Sequence, residues 1–362
     1  MQAREADALA HSGIVELSLS YDAQSEVAQS LSDHDAPRLV VGNSTLTAKS
    51  RLLRRMFAQP ADTWRLVKFC RKHSVDVIYE VMDNPLQLLP RAVVRLTGVR
   101  VLVSVHDAVR HHGEESLIST AISAVSLRHS DGIITYSASV ADSLRSSGRV
   151  ARVPVFVTVH GAFGVARAMG QGKALVSKEV VVGFFGRIES YKGLARLALA
   201  ISKLQDSGVP VRLAVHGRGQ LNPHDRVLLV NARADINNAW VSEDAIQTVI
   251  ESFDVLALPY EEASQSGVVG YALSAGIPIV CTPVGGLREQ VHRSGGGLVA
   301  AGMSASDFAV ALHTIVTNTI LYRQLSQDGI VAARTIYSWE QVANDISHAA
   351  ESVLKRGKKG AK

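Results

Sequence analysis

Short apolar runs alternate with segments of helical periodicity along almost the whole chain. This alternation is typical of parallel α/β units, in which each strand is followed by a helix that crosses over to the next strand. We expect strands at 14–20, 38–41, 75–81, 99–105, 132–137, 153–159, 180–186, 211–217, 227–231, 254–260 and 277–282. We expect helices at 60–74, 115–130, 192–206, 243–252, 267–275, 304–318 and 338–357.

A chain of 362 residues is too long for a single hydrophobic core of ordinary size, so we expect two domains. Residues 160–179 contain four glycines and no clear period, and we interpret them as a linker. The predicted domains are 1–165 and 166–335, and residues 336–362 are expected to form a helix that returns to the first domain, followed by a basic tail. Doubly wound sheets bind ligands at the carboxyl ends of their strands, which predicts a ligand cleft between two facing domains.

The composition narrows the possible environment and partners. A net charge of +5 indicates an anionic partner, which charge alone does not identify. The two cysteines, Cys70 and Cys281, are far apart and form no disulfide or zinc pattern. No signal peptide and no membrane-spanning run is visible, so we expect a cytoplasmic protein that can lie on the inner face of the cell membrane.

The sequence GRIESYKG at 186–193 follows a predicted strand and precedes a predicted helix. A loop that leaves the carboxyl end of a strand would place Arg187 and Lys192 where they could hold a diphosphate. The alternative is that both are solvated charges at the start of a helix.

A second turn-rich stretch, at 260–286, reads YEEASQSGVVGYALSAGIPIVCTPVGG. Residues 264–268 form a turn at the start of the helix predicted at 267–275, and the unpaired N–H groups of a helix start attract anions. Gly267 would allow close approach of a phosphate. The alternative is that Ser264 or Ser266 is only a helix cap, worth about 1 kcal/mol.

Together these motifs resemble the C-terminal domain of GT-B glycosyltransferases of family 4. The matching segments are 186–193, 259–280 and VGGLREQV at 284–291. The resemblance implies that Arg187 and Lys192 grip the diphosphate of a nucleotide-sugar donor, with Gly186 and the backbone of Ser266, Gly267 and Val268. It also implies a hexosyltransferase that retains anomeric configuration. Because no DxD-like acidic pair stands at a strand end, we expect catalysis without a metal or other cofactor.

The same resemblance implies further contacts with the donor, but the sequence departs from the family pattern at one acidic pair. Many relatives have a Glu-x7-Glu pair where this chain has Ala263 and Tyr271. The SQSG version is similar to a subgroup common in polysaccharide assembly, in which Gln265 takes over sugar contacts, and Glu262 is a second candidate. Gly217 matches a glycine turn that lies beside the nucleoside in the family, although a plain turn is an equal alternative. Glu289 matches a family residue that either orders the loop at 284–291 or touches the substrate.

In the first half, His106 and Asp107 directly follow the strand predicted at 99–105. The resemblance implies that His106 contacts the donor sugar or leaving phosphate, and that Asp107 orients His106 or the acceptor hydroxyl. A structural histidine is the alternative. His111 and His112 are expected to line the acceptor entrance rather than bind metal. No glycine lies between Ser20 and Pro37, where relatives have a glycine-rich turn, so the acceptor loop is built differently or the start is shortened.

The expected partners are a nucleotide-sugar donor and a glycan or polyprenyl-diphosphate-linked acceptor, without nucleic acid. The basic stretch 47–73, interleaved with Leu, Met, Phe and Trp, suits an anionic membrane surface. A solvated helix face is the alternative for that stretch. Two other functions remain open: a non-catalytic binding subunit that resembles a transferase, and a nucleotide-sugar epimerase of the same architecture.

Overall fold

A computed structural model describes residues 2–22, 31, 35–41, 48–82, 87–107, 125–148, 150, 152–176 and 178–360. The chain divides into two compact units. The first, unit 1, comprises residues 1–158 and 339–362, and the second, unit 2, comprises residues 159–338. Both consist of parallel strands connected through helices, so the predicted α/β class is confirmed.

Unit 1 contains two parallel sheets. In the order of the strands listed next, the first two form one sheet and the other four form the second, with sequential neighbours paired. The elements of unit 1 are α1 (Gln2–His11), β1 (Leu19–Asp22), β2 (Arg38–Val41), α2 (Ala48–Lys72), β3 (Val77–Glu80), α3 (Leu88–Leu96), β4 (Arg100–Val105), β5 (Gly132–Thr135), α4 (Ala138–Ser146) and β6 (Val155–Val157). The long last helix of the chain, Trp339–Gly360, packs against α1, β4 and β5 of this unit.

The core of unit 1 lies between its larger sheet and the helices. Val101, Val103 and Ile133 are fully or almost fully buried there, with Leu144 of α4 against them. The first strand begins at Leu19, later than residue 14, where the sequence predicts it. Residues 16–18 carry no regular structure.

Unit 2 is a six-stranded parallel sheet flanked by helices. Its elements are β7 (Val180–Phe185), a 3-10 turn (Ser190–Lys192), α5 (Leu194–Asp206), β8 (Val211–His216), α6 (Pro223–Asn231), β9 (Asp235–Asn237), α7 (Glu243–Glu251), β10 (Val255–Leu258), α8 (Gly267–Ala275), β11 (Ile279–Cys281), α9 (Gly285–Ser294), β12 (Gly297–Val299), α10 (Ala305–Val316) and α11 (Thr319–Arg334). We label the last helix of the chain, described above with unit 1, α12.

The strand order of unit 2 fixes where a ligand can bind. Its order is β12-β11-β10-β7-β8-β9. The chain therefore moves from β7 through β8 to β9 on one side and then returns to place β10 on the other side of β7. This reversal is the topological switch point of a doubly wound sheet, where ligands bind beyond the carboxyl ends of the strands. Because β7 and β10 are parallel neighbours, the loops that follow them leave the sheet at the same edge.

One predicted strand of unit 2 is wrong. Residues 227–231, read as a strand from their apolar run, form the second half of α6. Asn222 caps this helix, since its side chain accepts a hydrogen bond from the N–H of Asp225, and Pro223 occupies the first turn, where a missing N–H costs nothing. These start signals precede the apolar run and decide its conformation. The short strands β9 and β12 were not predicted.

The segment interpreted as a linker packs on unit 2. The N–H of Ala162 donates to the Tyr337 carbonyl at 2.7 Å, and the N–H of Arg167 donates to the Ser274 carbonyl at 3.0 Å. Further along, the Lys173 ammonium lies 3.4 Å from the Asp254 carboxylate. The units divide after residue 158, earlier than the boundary expected at 165, and Ala162, Arg167 and Lys173 all have these partners in unit 2.

Candidate functional site

The loop after β7 is held against the loop after β8. The N–H of Gly186 donates to the His216 carbonyl at 3.0 Å, and the N–H of Ile188 donates to the Arg218 carbonyl at 3.0 Å. A Cβ on Gly217 would lie 1.7 Å from the Gly186 carbonyl oxygen, so only glycine permits this approach. Gly186 and Gly217, both predicted donor contacts, therefore set the path of the backbone that carries Arg187.

Arg187 lies on the exposed side of this loop. Its side chain is 69% exposed and pairs with Glu189 at 3.0 Å. Its guanidinium also donates to the Tyr191 hydroxyl at 3.3 Å. An exposed pair of this kind contributes at most about 1 kcal/mol, so a phosphate can replace Glu189 at small cost.

Lys192 is half-buried against aromatic rings. Its Nζ lies 3.6 Å from the ring centroid of Tyr260 and 5.0 Å from that of Tyr191. Within the described ranges no carboxylate lies at ion-pair distance from it. Loss of water contact through burial lowers its pKa from the ordinary lysine value. This cation is therefore incompletely solvated, and among the described residues it forms no ion pair, which favours binding of an anion.

The two predicted motifs are in direct contact. The carbonyl of Tyr191 accepts a hydrogen bond from the N–H of Glu261 at 2.8 Å. Gly193 has a left-handed backbone, with φ of 69°, and a Cβ there would lie 2.0 Å from the Pro259 carbonyl oxygen. The turn that carries Lys192 thus packs on residues 259–261, which begin the stretch leading into α8.

The sequence predicts that three backbone N–H groups at the start of α8, those of Ser266, Gly267 and Val268, bind an anion, but the structure offers only the last two of them. The N–H of Ser266 donates to Gln290 Oε1 at 2.8 Å, and Gln290 is buried on α9. The Ser266 side chain makes no capping hydrogen bond to the helix. Among the bonds of the described residues, none has the N–H of Gly267 or Val268 as donor. These two amides, with the positive end of the helix dipole, are what α8 offers to an anion.

Two residues that the sequence reading left in the linker lie beside this helix start. A Cβ on Gly267 would lie 3.4 Å from His160 Cε1 and 3.8 Å from Phe163. Phe163 in turn stacks on Tyr271, with ring centroids 5.2 Å apart. Tyr271 therefore packs as part of an aromatic pair on the surface of α8. No pattern in the sequence connects His160 with Gly267, because the contact joins positions about a hundred residues apart.

The other predicted donor contacts lie on the segments around the start of α8. Gln265 is half-buried, immediately before Ser266. Glu289 is half-buried on α9, next to the Gln290 that holds Ser266. The N–H of Gly286 at the beginning of α9 donates to the Ala263 carbonyl at 3.2 Å. Hydrogen bonds to α9 therefore hold residues 263–266 in place.

In unit 1, His106 and Asp107 directly follow β4, as predicted. The imidazole of His106 stacks on Tyr136 with centroids 4.5 Å apart, and its Nε2 lies 3.1 Å from the Val81 carbonyl oxygen. Burial lowers the pKa of the His106 imidazole, which favours the neutral ring. Asp107 is exposed. The predictions for His111 and His112 fall outside the described residues.

Among the described residues no group of three or more His, Cys, Asp or Glu is placed to hold a metal ion. In that same part of the chain no helix combines the length and apolar character that crossing a membrane needs.

Part of the chain is similar in sequence to known glycosyltransferases. Residues 179–318 match the family "Glycosyl transferases group 1". The D-inositol 3-phosphate glycosyltransferase of Rhodococcus erythropolis is 29% identical over 195 residues, which cover 51% of this chain and 42% of that protein. The 2-deoxystreptamine glucosyltransferase of Streptomyces kanamyceticus is 26% identical over 270 residues, covering 67% of this chain and 68% of that one. The chain thus spans less than half the length of the first of these relatives.

One solved structure is similar to nearly the whole chain and not only to residues 179–318. The Anabaena protein HepE in complex with UDP has a TM-score of 0.69 at 15% identity, covering 97% of this chain and 95% of that chain. At this level of identity the likeness concerns the fold. The chain therefore has the GT-B fold, and its residues 179–318 are similar to the group 1 glycosyltransferases.

Proposed function

We propose that this chain transfers a hexose from a nucleotide-diphosphate donor to a glycan or lipid-linked acceptor, with retention of anomeric configuration and without a metal ion. The observation that carries the proposal is the position of Lys192, 3.6 Å from the Tyr260 ring centroid, on a turn packed against the segment leading to Gly267. Neither the binding-subunit nor the epimerase alternative gains support from the family match or the relatives.

The chemistry follows from the charge of the leaving group. When the bond between sugar and diphosphate breaks, negative charge grows on the departing phosphate oxygens. A fixed cation and preorganised N–H donors stabilise that charge without reorganising, and they do so best where water is partly excluded. Lys192 supplies the cation, Gly267 and Val268 supply the amides, and Arg187 adds a second cation from the exposed side. Positive charge in this arrangement takes the place that a metal ion has in other transferases.

We assign the remaining predicted contacts to the sugar and the acceptor. Gln265, which precedes the amides, offers both a donor and an acceptor to sugar hydroxyls in place of the carboxylate common in relatives. His106 and Asp107 of unit 1 are assigned to the donor sugar and the acceptor hydroxyl. Assembly of polysaccharide or glycolipid is the proposed setting, because the SQSG motif resembles the subgroup with that role.

A panel of donors tests the proposal directly. Because the neighbouring Anabaena structure contains UDP, we expect UDP-sugars to raise the melting temperature of this chain more than GDP-, ADP- or dTDP-sugars do. At a ligand concentration of 100 times Kd, binding adds about 2.7 kcal/mol to the stability, which differential scanning fluorimetry detects easily. No stabilisation by any nucleotide-sugar, or equal stabilisation by the matching nucleoside without phosphate, would contradict a diphosphate-based site.

The proposal includes an anionic membrane surface as a docking partner, through the described end of α2. Cys70 of α2 is buried against Val94 and Val99, whereas Lys68 lies on the opposite, exposed side with its Nζ 4.5 Å from the ring centroid of Trp64. Trp64 is 62% exposed. An exposed tryptophan with a lysine over its ring suits the headgroup region of an anionic bilayer.

Reversing three charges on this face will reduce vesicle binding. In the Lys68→Glu, Arg71→Glu, Lys72→Glu variant each lost cation removes about 1 kcal/mol of attraction to anionic lipid, so the partition coefficient will fall by at least 100-fold. Sedimentation with vesicles containing phosphatidylglycerol measures it. The matched control reverses three exposed cations of unit 2, Lys203, Arg226 and Arg323, with the same change in net charge. Equal losses in both variants would show a general charge effect and would contradict a docking face on α2.

A further inference from the structure

One arginine joins three segments of unit 2 beside the proposed diphosphate site. Arg196 lies in the first turn of α5, and its side chain is only 14% exposed. Its Nη1 donates to the Pro259 carbonyl at 2.5 Å, and its Nε donates to the Met303 carbonyl at 2.5 Å. Its Nη2 lies 3.6 Å from a carboxylate oxygen of Glu261. The transfer chemistry proposed above uses none of these contacts.

Two of the partners of Arg196 lie on either side of Tyr260 in the loop after β10. Pro259 precedes this tyrosine and Glu261 follows it. The Tyr260 carbonyl itself accepts a hydrogen bond from the hydroxyl of Thr282, a fully buried residue directly after β11. The backbone around Tyr260 is therefore held by α5 on one side and by the segment after β11 on the other.

The ring of Tyr260 is buried with its face against the ammonium group of Lys192. Tyr260 is only 1% exposed, and its ring centroid lies 3.6 Å from Lys192 Nζ. The negative face of an aromatic ring attracts a cation at this distance, most strongly where both are shielded from water. The Tyr260 hydroxyl makes no hydrogen bond among the described residues. The ring, rather than the hydroxyl, is therefore the part of this side chain that engages a charged group.

We infer that Arg196 and Tyr260 are positioning residues for Lys192. Arg196 fixes the backbone on both sides of Tyr260, and the ring of Tyr260 holds the ammonium group in a set place over its face. That Lys192 meets a donor diphosphate there rests on the proposed function, whereas the contacts among the three residues do not.

A lysine that stabilises the charge of a leaving group needs support of this kind. Its four-carbon stem is flexible, and ordering a long side chain during binding lowers affinity. Burial lowers the pKa of Lys192, because its ammonium group lacks part of the hydration of an exposed lysine. The Tyr260 ring attracts the ammonium group without neutralising it as a carboxylate would, so the positive charge stays available to an anion.

An NMR measurement without ligand tests the contact itself. Lysine labelled with carbon-13 at Cε is incorporated into the full chain, and the Lys192 signal is assigned by its loss in Lys192→Arg. Because the Cε protons lie next to an ammonium group over an aromatic face, the ring current moves their signal upfield. We expect this shift in the wild type and in Tyr260→Phe, most of it lost in Tyr260→Leu, and a smaller shift in Arg196→Met. Wild-type signals in Tyr260→Leu or in Arg196→Met would overturn the inference.

A double-mutant cycle with UDP as the probe shows whether the two residues act through Lys192. In calorimetric titrations Tyr260→Leu and Arg196→Met are each expected to weaken UDP binding about 10-fold, and Tyr260→Phe to stay within about 3-fold of the wild type. In the Lys192→Ala background the first two changes are expected to alter UDP affinity by less than about 2-fold, since no ammonium group is left to position. Full additivity in either cycle would show a merely structural role and would overturn the inference.

Two matched controls in unit 2 separate positioning from loss of stability. Tyr322→Leu removes another fully buried tyrosine, whose hydroxyl donates to a backbone carbonyl at 2.9 Å. Arg212→Met removes another arginine with acidic partners, Glu179 and Asp235, each at 3.8 Å. Tyr322→Leu is expected to lower the melting temperature, and both controls are expected to keep UDP affinity within about 2-fold of the wild type. Losses of UDP affinity in the controls equal to those in the positioning variants would contradict the inference.

The same measurements separate this inference from the proposed function. If the wild-type chain neither binds UDP nor turns over any nucleotide-sugar, the proposed function fails, while the NMR result still decides the contacts around Lys192. If the chain binds UDP and the cycles are additive, the positioning inference fails alone. If Tyr260→Leu does not fold, Arg196→Met decides the question through both measurements.

Discussion

Replacing Lys192 with alanine is expected to lower kcat/KM for sugar transfer by about 100- to 1,000-fold, the usual cost of removing one preorganised group that stabilises transition-state charge. The loss will be mainly in kcat, since the charge on the phosphate oxygens grows as the glycosidic bond breaks. Steady-state kinetics with the donor selected by the thermal panel measures the effect. The matched control is Lys203→Ala, which removes an exposed lysine of the helix that follows the same loop.

The pH dependence of donor binding identifies the same cation. Burial lowers the pKa of Lys192, so its charge is lost at a lower pH than that of an ordinary lysine. Affinity for UDP will therefore begin to fall at alkaline pH earlier than an exposed lysine would allow, and Lys192→Arg will remove that fall, since arginine remains charged. Calorimetric titration with UDP from pH 7 to 10 measures both curves. A Lys192→Ala variant with wild-type kcat/KM would contradict the role of the cation.

Gly193→Ala is expected to destabilise the fold and weaken donor binding together. An alanine in the left-handed conformation costs about 1–2 kcal/mol, and here its Cβ would also meet the Pro259 carbonyl oxygen at 2.0 Å. Relieving that overlap moves the turn of Lys192 away from residues 259–261. We expect a loss of about 3 kcal/mol in the free energy of unfolding and at least 10-fold in UDP affinity.

A second glycine provides the control for backbone strain. Gly208 has a comparable φ of 79°, but a Cβ there would meet nothing within 4 Å. Gly208→Ala therefore carries the strain without the collision, and it is expected to cost about 1–2 kcal/mol and to leave UDP affinity unchanged. Urea unfolding and calorimetry of the two variants give the comparison. Equal effects on UDP affinity would show that contact between the two motifs does not set the binding geometry.

The sequence predicts unit 2 well where hydrophobic period and turn chemistry agree. The helix expected at 267–275 is α8 with the same ends, and the strand expected at 180–186 is β7 to within one residue. The run at 227–231 was misread because its composition suits a strand, whereas Asn222 and Pro223 begin a helix before it. In a short apolar run, residues that start a helix are therefore a better guide to secondary structure than the composition of the run.

The candidate site is less predictable because its details depend on contacts between distant residues. The motifs identify Lys192 and the amides of Gly267 and Val268, but no local pattern indicates that Gln290 occupies the N–H of Ser266. The same holds for His160, which lies beside Gly267, and for Tyr136, which stacks on His106. Such contacts form only when the sheet brings together segments far apart in sequence.

A crystal structure of the full chain with UDP tests most directly whether the cation and the α8 amides bind one diphosphate. The account predicts a β-phosphate oxygen within about 3 Å of Lys192 Nζ and a phosphate oxygen within about 3 Å of the N–H of Gly267 or Val268. A UDP whose phosphates contact only one of these two groups, or lie at another edge of the sheet, would contradict it.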